Sequence, residues 1–181
     1  MQCIEDSNKE CLPDIIECKN IAEWNKYLDM LYVDVFKPCF LESYPKFKGW
    51  NVRIRKEPMD GEWEHDFVHM THEDYYHNSK NPNDRIPDLR RSERLNWVRP
   101  IIEHFECSND TDCGKILYWE NYYKGYVRCN LFLPEERFHV VLERRKNVYY
   151  IITSFYVNKD WELRKRMEKY ELYKKQKTPL T

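Results

Sequence analysis

Four of the chain's six histidines, His65, His69, His72 and His77, fall within one short stretch. Imidazole titrates near neutrality, so such a cluster suits either proton transfer or metal ligation. Spacing weighs against the metal. A zinc-protease helix needs two imidazoles on one face at i and i+4, and His72-Glu73 followed by His77 is one residue too long. His65 and His69 have the right spacing, but Trp63 to Met70 reads as a strand. Neither a metal nor a cofactor is therefore expected, and polar loop histidines without a chemical role are the plain alternative. Acid–base work is the sharper reading. Cleavage of RNA through its 2′-hydroxyl asks for a base, an acid and donors for the crowded phosphate. Arg85, Arg90, Arg91, Arg94 and Arg99 follow soon after the histidines. Arg90 and Arg94 share a helical face at i, i+4 and suit a bidentate grip on phosphate, although arginines so placed also do no more than pair with Asp88 or Glu93.

The elements that must position these groups are uneven in clarity. The clearest is Arg137 to Asn158, where two runs of Val, Ile, Tyr and Phe flank Arg144-Arg145-Lys146-Asn147. β-Branched and aromatic residues suit a pleated strand, and Lys-Asn suits a tight turn, so this is an antiparallel hairpin. A two-residue turn at Lys146-Asn147 sets Glu143 opposite Tyr150 and His139 opposite Ser154. Phe138, Val140, Leu142, Tyr149, Ile151, Thr153 and Phe155 then share the core face. A strand at Trp50 to Arg55, a turn at Pro58 to Gly61 and a strand at Trp63 to Met70 suggest an earlier hairpin. Asn20 is placed to cap a helix through Tyr32, with Glu23 three residues on. Asp34 to Gly49, with Pro38 and Pro45, holds a short helix at most. Pro100 divides Pro87 to Phe105 into two short helical pieces. Strands at Lys115 to Glu120 and Tyr126 to Leu133 precede the hairpin, and Asp160 to Lys175 is a charged helix. The fold class is α+β: N-terminal helices and a hairpin, then an antiparallel β-meander, then a charged C-terminal helix.

The 181 residues suffice for one domain, read as an N-terminal segment, 1–62, and a main domain, 63–181, in one compact unit. Only 4 glycines argue against a Gly-rich phosphate cradle or a Rossmann turn. Net charge is −1, but acids dominate the first thirty-six residues and Lys and Arg dominate from Arg137 onward. A basic half facing an anion such as RNA fits that asymmetry, and so does a solvated charged helix. Seven cysteines without a C-x-x-C pair exclude a zinc ribbon and a secreted disulfide scaffold as first readings, leaving cytoplasmic free thiols. No apolar run is long enough to span a bilayer and no signal peptide opens the chain.

The order of parts, DFVHMTHEDYY, then RIPDLRRSERLNWVRPIIEHF, then YVRCNLFLPEERFHVVLERRKNVYYIITSFYV, resembles the phage-associated barnase–EndoU–colicin–RelE-like (BECR-like) nuclease families. The resemblance runs from about Phe67 to Asn158 and rests on a diffuse pattern: His69, Thr71 and His72; Arg90, Arg94 and Trp97; then Glu143, Arg144, Thr153 and Tyr156. Ser154 stands where alanine is common. The resemblance implies helices followed by a four-stranded antiparallel sheet and a metal-independent endoribonuclease, in keeping with a toxin or phage-linked effector. It implies His69 or His72 as base or acid, Arg90 and Arg94 on the phosphate, and Thr153 and Tyr156 orienting it. His139 and Glu143, on the opposite face, are reserves, or a solvent-facing pair. The implied partners are RNA, transfer RNA among the candidates, and an antitoxin or inhibitor protein.

Two other functions stay open. One is a non-catalytic module that uses the same fold to hold RNA or a protein. The other is a regulatory protein whose acidic N-terminal segment mimics nucleic acid or docks on its own basic half. Fold analogy by itself does not separate them.

Overall fold

A computed structural model describes residues 12–74, 85–106 and 115–177. Its largest element grows from the last two hairpins. Strands β5 (Leu117–Tyr123), β6 (Tyr126–Leu133), β7 (Phe138–Arg145) and β8 (Val148–Tyr156) form an antiparallel meander, and α5 (Asp160–Lys177) follows it, so the fold is α+β. Before the meander come a 3-10 turn (Ile21–Glu23), α1 (Trp24–Met30), β1 (Lys46–Phe47), β2 (Trp50–Arg53) and α2 (His65–Thr71). A separate two-stranded ribbon, β3 (His72–Asp74) and β4 (Arg85–Pro87), then leads to α3 (Leu89–Ser92), a 3-10 turn (Leu95–Trp97) and α4 (Val98–Glu103). The main sheet runs in the order β1-β2-β8-β7-β6-β5, with β2 parallel to β8 and Val52 opposite Tyr149. Residues assigned above to an N-terminal segment thus extend the sheet.

The sheet curls until its edges meet. Lys48, in the β1–β2 turn, donates from Nζ to the Tyr118 hydroxyl of β5 at 2.8 Å. Phe47 lies 4.4 Å from Phe105 and 6.0 Å from Tyr118, ring centre to ring centre, and fills the gap. Inside the curl, Leu131, Val140, Leu142 and Ile151 pack against Leu31, Phe36, Phe67 and Ile101 of the helices. The outer face is covered by α5, through Trp119, Phe132, Phe155, Leu163 and Met167.

Three local expectations need correction. Trp63 to Met70 does not form a strand; α2 occupies His65–Thr71, and its buried residues Phe67, Val68, Met70 and Thr71 have helical spacing. The hairpin of Trp50 to Arg55 with Trp63 to Met70 is therefore absent, and β2 pairs instead with β1, as a hairpin, and with β8. Second, α1 continues as a π-helical segment over Leu31–Glu42, with Pro38 inside it, far longer than the proline content suggests. Burial outweighs the lost N–H: Leu31, Val35, Phe36 and Phe40 all face the core, and the Ser43 hydroxyl donates to the Pro38 carbonyl at 2.7 Å. Third, the last hairpin keeps its expected register only as far as Leu142 opposite Ile151. There it shifts, so that Val141 faces Thr153 and Ile152 is an extra residue. Arg55 secures it by donating to the Ile152 carbonyl at 3.2 Å. Beyond the bulge the faces exchange. Ser154 and Tyr156 join the side of Val140 and Phe138, while Thr153 and Phe155 join His139.

Candidate functional site

The ribbon β3–β4 and the C-terminal end of α2 hold most of the polar chemistry. Its organiser is Arg91, on α3. Nη1 of Arg91 donates to the carbonyls of His69 and His72, both at 2.8 Å, while Nε meets Asp88 at 3.1 Å. Asp88 also caps α3 through the Arg91 N–H. One arginine therefore satisfies carbonyls that the end of α2 leaves without helical partners. The sequence placed Arg91 among five arginines without distinguishing it, because its role depends on carbonyls twenty residues away.

His72 follows the last turn of α2 and lines a cavity of about 430 Å³ together with Asp60, Gly61, Glu62, Trp63, Val68 and Arg85. Its Nδ1 is 2.9 Å from the Thr71 hydroxyl, which itself donates to the Phe67 carbonyl at 2.9 Å. A hydroxyl has one proton; when that proton goes to the Phe67 carbonyl, the hydroxyl accepts from the His72 ring. In that tautomer Nδ1 carries the proton and Nε2 the lone pair. Burial, followed by the charges of Arg85 and Arg91, lowers the His72 pKa, partly offset by the Val68 carbonyl and Asp60. At neutral pH the ring is a neutral proton acceptor. Arg85 lies between two carboxylates, its Nη1 3.5 Å from Asp60 and its Nε 4.0 Å from Asp74, and the buried Nη1 makes no hydrogen bond.

His69 has a different setting. It lies one turn after His65 on α2, and the two rings stack with centres 5.7 Å apart. His65 contacts Asp66 at 2.9 Å, and Asp66 is held by Arg55 at 2.8 Å. Burial, and then Arg91 and Arg55, pull the His69 pKa down to about 4. Among the described residues no group of three or more His, Cys, Asp or Glu side chains is arranged to hold a metal ion. His77 lies outside the described residues.

Arg90, Arg94 and Tyr156 do come together, because the β8 bulge turns Tyr156 toward α3. The two guanidinium carbons lie 4.8 and 5.2 Å from the centre of the Tyr156 ring, at cation–π distance. Arg90 also donates to Asn158 Oδ1 at 2.6 Å, and Arg94 to the Arg90 carbonyl at 3.1 Å. None of the three lines the His72 cavity. Thr153 joins neither group: it pairs with Val141 on the opposite side of the strand. A regular hairpin would have put Thr153 on the inner face and Tyr156 on the outer one, and the extra residue reverses both. His139 and Glu143 are not a solvent-facing pair, for they are 4% and 3% exposed. The first is walled by Trp119, Phe132 and Phe155 and accepts from Arg166 at 3.2 Å. The second lies between Arg128 and Arg145.

No helix among the described residues is long and apolar enough to cross a membrane. Comparison of the chain with protein-family models, curated proteins and solved structures finds no match.

Proposed function

We propose that the protein is an endoribonuclease that works without a metal, with His72 as its general base. The observation that carries this reading is the neutral His72 ring, its Nδ1 at 2.9 Å from the Thr71 hydroxyl and its cavity shared with Arg85. In such a reaction Nε2 takes the proton of a ribose 2′-hydroxyl and the oxygen attacks the adjacent phosphorus. The 5′-oxygen leaves, taking a proton from solvent, and a 2′,3′-cyclic phosphate remains. Arg85 offsets the charge that builds on the phosphate oxygens, the larger part of the work in a site of this kind. Trp63 offers a ring on which an unpaired base can stack. His69 is the weaker base: proton affinity falls with pKa, and its value of about 4 is far from the working pH. A cytoplasmic setting, with Cys18, Cys39 and Cys129 as free thiols, belongs to the same reading, as does an inhibitor protein able to cover the cavity.

A second reading, RNA holding without cleavage, is favoured by one feature. The Arg90–Arg94–Tyr156 group stands apart from the His72 cavity, as a phosphate-gripping surface would.

The test is incubation with transfer and messenger RNA in EDTA, comparing the protein with His72→Ala and Arg90→Gln. The nuclease reading expects cleavage that survives chelation and falls at least about a hundredfold in His72→Ala. Because the acting form is deprotonated and its pKa is lowered, the rate should hold steady from pH 8 to about 6.5 and decline only below. RNA left intact, with affinity lost in Arg90→Gln, would favour the second reading.

A further inference from the structure

The far end of the sheet carries a feature that the histidine cavity does not explain. Three turns gather there: β1–β2 with Gly49 at φ 80°, β5–β6 with Gly125 at φ 84°, and β7–β8 with Lys146 at φ 50°. Where β2 lies parallel to the start of β8, they bound a trough of about 920 Å³. Five cations line it: Lys46, Arg53, Arg144, Arg145 and Lys146. No carboxylate is among the described residues that line it. Glu143 answers Arg145 from below at 2.8 Å. The chain as a whole has a net charge of −1, so this concentration is local.

Three rings share the trough: Trp50, Tyr126 and Tyr150. Trp50 and Tyr126 are 46% and 43% exposed. Arg145 lies between the tyrosines, its guanidinium 4.8 Å from the ring of Tyr126 and 5.5 Å from that of Tyr150. Beyond Tyr126 the pattern repeats, with Arg128 on the Tyr123 ring at 3.9 Å. Planar groups with an open face, alternating with cations, suit a strand whose bases are unpaired. Phosphates meet the cations while bases lie on the rings. A duplex keeps its bases stacked internally and cannot use the rings.

We propose that this trough is a binding site for single-stranded RNA, separate from the His72 cavity. The proposal rests on the reading of the protein as one that acts on RNA. It is independent of whether RNA is cut.

The experiment uses the full chain carrying His72→Ala, so that RNA stays intact, and a fluorescein-labelled twelve-nucleotide RNA, single-stranded or annealed to its complement. Anisotropy gives the affinity from 50 to 200 mM salt, with circular dichroism confirming the fold of each variant. Trp50→Ala should weaken single-strand binding about tenfold and leave the salt slope unchanged, as loss of one stacked base does. Arg53→Gln with Arg144→Gln should reduce the slope by about 1.4, since each phosphate contact to a single strand contributes about 0.7. Equal affinity for the duplex, or equal competition by heparin against both parent and Trp50→Ala, would overturn the proposal in favour of a plain anion surface. So would affinities that the trough variants leave unchanged. Cleavage by the unmutated chain is scored separately. Trough-dependent binding without cleavage removes the nuclease reading alone, and cleavage together with binding that the trough variants leave unchanged removes this one alone.

Discussion

His69 and His72 differ by three positions and are alike in composition of neighbours, yet their rings have different chemical prospects. The His72 ring meets the Thr71 hydroxyl, whereas His69 is pressed between His65 and the positive charge of Arg91 and Arg55. The setting of His69 has a consequence for stability. Its folded pKa of about 4 lies below the ordinary 6.5, so as pH falls the unfolded chain takes up this proton first. The stability is fully present above pH 6.5 and is lost as pH falls toward 4, by about 3 kcal/mol at most. His69→Gln should flatten that part of the acid dependence in denaturant melts at pH 7, 5.5 and 4.5. A residual slope should remain, since burial lowers His72 and His139 as well. An unaltered acid dependence would show that His69 is not the group in question. The types and clustering of these histidines were legible in the sequence; their protonation was not, because it depends on burial and on the guanidinium groups of Arg91 on α3, Arg85 on β4 and Arg55 after β2.

Among the elements, α2 and β8 decided where the chemistry lies. The stretch Trp63 to Met70 alternates enough to pass as a strand, but its apolar residues Phe67, Val68 and Met70 also satisfy a helix, and short segments leave the two periods unresolved. Docking against Tyr32 and Phe36 settles the matter in favour of the helix. In β8 a single extra residue moves Tyr156 to the arginines and Thr153 away from them. No sequence pattern announces it, because Ile152 suits a strand on either face. At α5 the sequence was clearer, and its charged helix begins at Asp160 as expected. The joint beneath it is less ordinary. With Arg166 donating to Nδ1, the Nε2–H of buried His139 has no partner. Removing Arg166 alone, as Arg166→Met, leaves the imidazole wholly unsatisfied and should cost about 1–3 kcal/mol. Replacing both polar groups, as His139→Phe with Arg166→Met, should restore the original stability or exceed it. Chemical denaturation of the two variants checks this, and a double variant weaker than the single one would contradict it.

For the molecule as a whole, curling the sheet closes the β1–β2 hairpin of the first sixty residues against β5. Phe47 is fully buried at the seam, against Phe105, Tyr118 and Tyr149. Phe47→Ala should therefore cost about 3–5 kcal/mol, the range for deleting a large buried ring. A loss below about 1 kcal/mol in urea melts would mean that the β1–β2 hairpin is an appendage. The pairing of β2 with β8 creates the trough, which belongs to neither segment alone.

Pro100 does not break the helix as expected, since α4 runs through it, but by itself the sequence determined the α+β class, the late meander and the Asn20 cap with its 3.0 Å bond from the Ala22 N–H. These depend on local periodicity, turn residues and caps, which neighbouring residues specify directly. Only the tertiary structure decided the partner of β2, the bulge at Ile152, the separation of the arginine pair from His72, and the gathering of five cations with three rings at one end. Each of these follows from packing between segments far apart in the chain. Burial and long-range hydrogen bonds outweigh local preference there, and no window of sequence contains both partners.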